Sequence, residues 1–234
     1  MRLQTVLSHS GLCSRRAALD YVMKGRVCVN DRVVTEPSTQ VNPREDKITV
    51  DGKHLNPKSY DYILLNKPKG FVTTKKDRFA KKTVFSLLPK KIHHVSPVGR
   101  LDKDTEGLLL LTNDGNVAHR LTHPRFDIDK IYWVKVLGRL TFNDKTKIEK
   151  GLYIDGKKTA PAKISNMKYI QNQTTLTMTI HEGRKRQIRL MFGKLRYKVI
   201  YLKRISQGPL QLGRLGTGCW RNLNSKELEA IRQI

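Results

Sequence analysis

The chain has 234 residues, 38% of them hydrophobic, and 46 lysines and arginines against 20 aspartates and glutamates, a formal net charge of +26. That length holds one large domain, or a large and a small one, around a real core. No stretch approaches the roughly 18 apolar residues of a membrane span. The start, Met1-Arg2-Leu3-Gln4, lacks the apolar core of a secretory signal. The three scattered cysteines, Cys13, Cys28 and Cys219, make neither a disulfide framework nor a zinc site. A cytoplasmic protein with a polyanionic partner and no membrane is expected. Residues 1–59 carry 10 basic and 6 acidic groups, residues 60–234 carry 36 and 14. Charge spread through a folded region, not held in a tail, points to a domain that itself tracks phosphates.

In chain order, residues 2–10 predict a short helix with Leu3, Val6 and Leu7 on one face, stopped by Gly11. Ser14 is a good N-cap for a second helix through Met23, with Ala17, Ala18, Tyr21 and Val22 inward. Val27-Cys28-Val29 and Val33-Val34 predict a hairpin around Asn30-Asp31, and Ile48 and Val50 a third strand. The loop Asn56-Pro57-Lys58-Ser59 then links this unit to the rest. Strands are expected at residues 60–65, 71–74, 108–111, 132–137, 162–169, 175–180 and 198–205. Helices are expected at residues 116–121, 143–150 and 187–195, with a last one from Ser225. Residues 75–82 form a basic loop facing a polyanion or solvent. The mixed order, without a regular βαβ alternation, predicts an α+β fold.

The densest stretch is Gly99-Arg100-Leu101-Asp102-Lys103-Asp104-Thr105-Glu106-Gly107. It opens like a calcium loop, but the twelfth position is Asn113 and residues 108–111 are all leucine, so no calcium site is expected. His119 and His123 have helical metal spacing, yet Pro124 ends the helix and no Glu follows His119. No phosphate loop, dinucleotide fingerprint or Ser/Cys–His triad is present, so neither metal nor cofactor is expected. What remains is an aspartate in a turn beside arginine, leading into a buried strand, available as nucleophile or base. Its bland alternative is a turn cap. Lys130-Ile131-Tyr132-Trp133 places an aromatic in an apolar strand. Gly183-Arg184-Lys185-Arg186-Gln187-Ile188-Arg189 enters a helix whose stripe of Ile188, Met191, Phe192 and Leu195 leaves Arg189 free for a cleft.

Two resemblances rest on these fragments. Helix, Gly11, Ser14-Arg15-Arg16, helix and the Gly25-Arg26-Val27 hairpin together resemble the S4 RNA-binding domain; Ser-Arg-Arg alone would read as a solvated helix start. Residues 60–234 resemble the pseudouridine synthases of the branch that acts on ribosomal RNA and carries an N-terminal S4 domain. The matching fragments are Asn66-Lys67-Pro68, Gly99-Arg100-Leu101-Asp102, Lys130 with Tyr132, Gly183 with residues 186–189, and Leu202-Lys203-Arg204.

The resemblance implies a small S4-like domain at residues 1–56 and a catalytic domain at 60–234, built on a mixed, mainly antiparallel sheet with flanking helices. It implies isomerisation of one ribosomal uridine without a cofactor. Asp102 falls on the catalytic aspartate, Tyr132 on the tyrosine that packs against the target base, and Arg189 on the basic residue that pairs with the aspartate. Arg100 falls on the residue that fills the RNA stack once the uridine has flipped out. Arg15, Arg16, Lys24, Arg26, Lys67, Arg184 and Arg186 are expected to touch RNA. Large-subunit 23S RNA is the expected substrate, free or in an assembling subunit, and the protein a monomer. The alternatives are small-subunit 16S RNA and a non-catalytic RNA-binding assembly factor on the same scaffold.

Overall fold

The computed structural model describes residues 1–43, 45–55, 60–75 and 82–234. The expected linker, residues 56–59, and most of the expected basic loop, residues 76–81, lie outside that set. The chain divides into two compact units, Met1–Asp61 with Asn113–Gly115, and Tyr62–Thr112 with Asn116–Ile234. Among the described residues no helix is long and apolar enough to cross a membrane.

The first unit holds helices α1 (Leu3–His9) and α2 (Arg15–Met23) and strands β1 (Val27–Val29), β2 (Arg32–Val33), β3 (Ile48–Val50) and β4 (Lys53–His54). Ser14 Oγ accepts the Ala17 N–H at 3.2 Å, so the hydroxyl caps α2 where the sequence predicts. Asn30 and Asp31 both take positive φ, 51° and 63°, the conformation a two-residue hairpin turn needs between β1 and β2. The strands form an antiparallel sheet in the order β2-β1-β3-β4. Leu3, Leu7, Ala18, Val22 and Val27 are fully buried in its core.

The remaining elements are β5 (Tyr62–Lys67), β6 (Ser96–Pro97), β7 (Glu106–Thr112), α3 (Gly115–Thr122), β8 (Lys130–Leu137), α4 (Phe142–Glu149), β9 (Tyr153–Ile154), β10 (Lys157–Lys158), β11 (Lys163–Ile170), β12 (Gln173–Ile180), α5 (Gln187–Lys194), β13 (Val199–Gln207), β14 (Leu210–Gln211), β15 (Trp220–Asn222) and α6 (Ser225–Arg232). A nine-stranded sheet runs β11-β12-β8-β13-β7-β5-β15, with β14 beside β13 and β6 beside β7. Its pairings are antiparallel except β13 with β7. Strands β5 and β7 are buried on both faces. Ile63, Leu65, Leu109 and Leu111 enter one core, and Leu64, Leu108 and Leu110 enter a second with Leu121 and Ile231. Burial on two sides is why these strands read as unbroken apolar runs. Strands β8 and β12 are buried on one face and alternate accordingly.

Residues 71–74 do not form the expected strand. A single parallel bridge joins Val72 to Thr83. The Gly70 N–H donates to Lys103 O, Thr74 N–H closes a tight turn on Val72 O, and the Thr73 hydroxyl engages Leu101. Val72 pairs with Lys82 and Val84, and the Thr73 hydroxyl serves the loop before β7 in place of a ladder.

Gly107 is where β13 crosses beside β7. Its φ is +104°, and a Cβ there would stand 2.7 Å from Arg204 N and collide with Arg204 O. Gly107→Ala is expected to lower stability by ~3 kcal/mol or more, through strain and the loss of the parallel pairing. Urea unfolding of the purified variant checks this; an unchanged midpoint would show that the strands separate at no cost.

Candidate active site

The turn from β6 to β7 carries Asp102. Leu101, 5% exposed, anchors it in the core, and Gly99 takes φ +73°. Five consecutive backbone carbonyls, residues 101–105, are each engaged. Thr73 Oγ1 donates to Leu101 O at 2.8 Å, and the Leu101 N–H returns to Thr73 Oγ1 at 3.3 Å. Asp102 O accepts from Thr105 N–H and from Lys67 Nζ, both at 3.0 Å. Lys103 O accepts from Gly70 N–H at 2.8 Å and from Lys67 Nζ at 3.3 Å. Asp104 O takes an Arg189 Nη2 proton at 2.9 Å, and Thr105 O takes Lys67 Nζ at 2.7 Å. The backbone is thus fixed residue by residue, while the half-buried Asp102 carboxylate makes no hydrogen bond among the described residues.

Lys67 ends β5 and is fully buried. Its ammonium also donates to Pro68 O at 3.1 Å. Burial pushes its pKa down to about 8, and the negative charges of Glu106, Asp102 and Asp104 pull the other way.

Asp102 borders a cleft of about 300 Å³. Tyr132 of β8, Ile180 of β12 and Leu202 of β13 supply its apolar side, and residues 183–188 close another. That second wall is braced by Glu182. Its carboxylate accepts from Ala160 N–H at 3.0 Å, from Gln187 Nε2 at 2.7 Å and from Arg184 Nε at 3.1 Å. Arg186, at the N-cap of α5, holds a left-handed φ of 53°, a sparsely populated conformation for a non-glycine residue at a cleft. Arg100, Arg184, Lys185 and Arg186 bring four cations to the lining, against Asp102 as its acid.

Asp102, Tyr132, Arg100, Arg184 and Arg186 therefore share one cleft although their sequence separations reach 86 residues. Arg184 also spends its terminal nitrogens on Lys157 O and Lys158 O. Two expectations change. Lys67 does not face RNA: it is fully buried, and its ammonium lies beneath the Asp102 loop on backbone carbonyls. Arg189 is not ion-paired with Asp102: Nη1 donates to Val199 O at 3.1 Å and Nη2 to Asp104 O. Burial pushes the Arg189 guanidinium below its usual range and Arg186 adds repulsion, while the charges of Asp104 and Asp102 act oppositely. In the first unit Arg16, Lys24 and Arg26 are exposed. Arg26 forms a forked pair with Asp51 and lies 4.1 Å over the Tyr21 ring. The Arg15 side chain lies outside the described set.

The sequence reading missed Thr73, Gly70, Glu182 and Gln187, which hold the walls. No local pattern marks Thr73, Gly70 or Glu182, because each reaches a segment distant in sequence, and Gln187 works within its own turn, on Glu182 and Arg184.

Residues 1–48 match the S4 domain, and residues 61–194 match the RNA pseudouridylate synthase family. The chain is 41% identical to ribosomal large subunit pseudouridine synthase B of Bacillus subtilis strain 168, covering 100% of this chain and 96% of that protein. It is 40% identical to an uncharacterized RNA pseudouridine synthase of Aquifex aeolicus strain VF5, covering 99% and 93%. A crystal structure of a pseudouridylate synthase superposes with a TM-score of 0.70 at 30% identity, covering 99% of both chains. An S4 domain, a mixed and mainly antiparallel sheet and full-length identity to named synthases place this chain in the RNA pseudouridine synthase family, isomerases that act on uridine in RNA.

Proposed function

We propose that the protein isomerises a single uridine of large-subunit 23S ribosomal RNA, in the cytoplasm and as a monomer, with Asp102 carrying the chemistry. The observation that carries the assignment is a carboxylate without a hydrogen-bond partner among the described residues, at a cationic cleft and on a loop whose five carbonyls are held. Such a group is positioned before substrate arrives, and a fixed geometry is what removes the orientational cost of reaction.

The reaction breaks the bond from the sugar to N1 and makes one to C5. Atoms and electrons balance within the substrate. A base stacked in a helix cannot turn over, so the nucleotide must leave the stack; a cleft of about 300 Å³ is on the scale of one extruded nucleotide. Asp102 can attack the uracil ring, attack the sugar, or take the sugar proton that opens a glycal path, and all three start from the carboxylate. The Tyr132 ring, 7% exposed in the cleft wall, packs against the base. Its hydroxyl, without a hydrogen bond among the described residues, can pass a proton. Arg189 acts through the loop, tying Asp104 O to β13 through Val199 O. The exposed Arg100 fills the vacated stack, Arg186 takes a phosphate, and Arg184, whose three nitrogens already brace the wall, meets RNA through its remaining N–H groups. In the first unit Arg16, Lys24 and Arg26 bind the flanking RNA, with Arg15 at the start of the same helix.

The large-subunit choice draws on full-length similarity to a synthase named for that subunit. Tritium release from C5-labelled 23S and 16S transcripts tests it. Release from 23S alone is expected; release from 16S alone would move the enzyme to the small subunit, and release from neither would favour an assembly factor.

A further inference from the structure

The sheet has a second face. Tyr132, Val134 and Val136 of β8 point into the core and the cleft, so Ile131, Trp133 and Lys135 point away from them. Strand register then sets a checkerboard. Trp133 lies directly beside Lys203 on β13 and Thr177 on β12, and Lys135 beside Tyr201 and Thr175. The Trp133 and Tyr201 rings meet edge to face with centroids 5.0 Å apart, and Lys135 Nζ lies 5.7 Å from the Trp133 ring. On β11, Lys163 and Lys168 pair with Thr179 and Thr175 and so share this face. Ile205 and the turn through Gln211 and Gly213 wall the patch into a groove of about 560 Å³.

A solvated strand face of threonines and lysines is ordinary. A half-exposed tryptophan in the middle of the sheet, in edge-to-face contact with tyrosine and flanked by lysine on two sides, is not explained by solvation. Four lysines stand there against Glu106 at the start of β7. The Glu106 carboxylate already accepts the Tyr201 hydroxyl at 2.7 Å. Aromatic faces beside ammonium groups are complementary to unpaired nucleotides, whose bases stack while their phosphates meet cations.

We propose that this face of β8, β12 and β13, turned away from the cleft, binds an unpaired strand of the substrate RNA that flanks the modified uridine. This goes beyond the reading of the cleft and does not depend on Asp102.

The chain has two tryptophans, so Trp220→Phe leaves Trp133 as the sole indole emitter. A short oligouridylate is expected to quench its emission in the full-length protein. Lys135→Glu with Lys203→Glu should weaken that quenching roughly tenfold and flatten its salt dependence by about two contacts. The same pair should raise KM roughly tenfold on a long ribosomal fragment, leave kcat unchanged, and spare a minimal stem-loop. If charge reversal lowers the melting temperature, Lys135→Gln with Lys203→Gln should give the same pattern at smaller size. Asp102→Asn must retain the quenching, which separates this inference from the catalytic assignment. The proposal is overturned by emission that ignores RNA while filter binding saturates, by lysine variants that leave the long-fragment KM unchanged, or by polyglutamate quenching as strongly as RNA. The last outcome would make the face an acidic-protein site.

Discussion

Asp102→Asn is expected to fold, to bind ribosomal RNA like the wild type, and to form pseudouridine on the order of 10⁴-fold more slowly. The substitution is nearly isosteric, and the Asp102 side chain supplies no hydrogen bond to the loop. The contacts that hold residue 102 run through its carbonyl, to Thr105 N–H and Lys67 Nζ, and asparagine keeps them. Loss of activity can then be assigned to the missing carboxylate. Single-turnover tritium release, with filter binding on the same RNA, separates the two effects. A variant that weakens binding as much as rate would mean that Asp102 shapes the site and does no chemistry.

Lys67→Met is the second large effect, and it comes from a residue that touches no substrate. Methionine fills the volume, but four carbonyls, those of Pro68, Asp102, Lys103 and Thr105, lose this donor. Asp102 O keeps Thr105 N–H and Lys103 O keeps Gly70 N–H, so the damage falls most on Thr105 O. Orphaned buried acceptors cost about 1–3 kcal/mol each, and removing a buried ammonium offsets part of that. A net loss of about 2–4 kcal/mol is expected. Once the loop relaxes, a displacement near 1 Å at Asp102 should cost about 10²-fold in kcat. The sign of the accompanying pH effect follows from the depressed Lys67 value. The folded protein releases this proton at about pH 8, the unfolded chain only near the ordinary 10.5. Across that window the unfolded state holds more protons, so this group's contribution to stability rises with pH. Urea unfolding at pH values on either side of 8 should show that rise in wild type and its absence in Lys67→Met. Parallel curves for the two proteins would contradict the lysine's role.

What the sequence discloses here follows burial geometry. Strands β5 and β7 announce themselves as apolar runs because both faces are covered, and β8 and β12 as alternating ones because only one core receives them. Helix α2 was legible from Ser14, whose hydroxyl caps it. Residues 71–74 misled: their β-branched and aromatic types fit a strand, but Thr73 and Gly70 are committed to a loop thirty residues on. Lys67 misled in the same way. In the Asn66-Lys67-Pro68 fragment of a basic chain, a lysine reads as an RNA contact, and nothing local says that four carbonyls converge on it. The ordered fragments that gather Asp102, Tyr132, Arg100, Arg184 and Arg186 were legible as fragments. The bracing that fixes them was not, because much of it ends on backbone carbonyls and N–H groups that carry no side-chain signature. For the same reason the hydrogen bonds of Arg189 to Asp104 O and Val199 O had no trace in sequence.

The most direct measurement is a pseudouridine map of ribosomal RNA from cells lacking this protein and from the same cells given back either the wild type or Asp102→Asn. One large-subunit pseudouridine is expected to disappear in the deletion, return with the wild type, and stay absent with the Asn variant. A map with every pseudouridine intact in the deletion, or one restored by Asp102→Asn, would contradict the proposed activity.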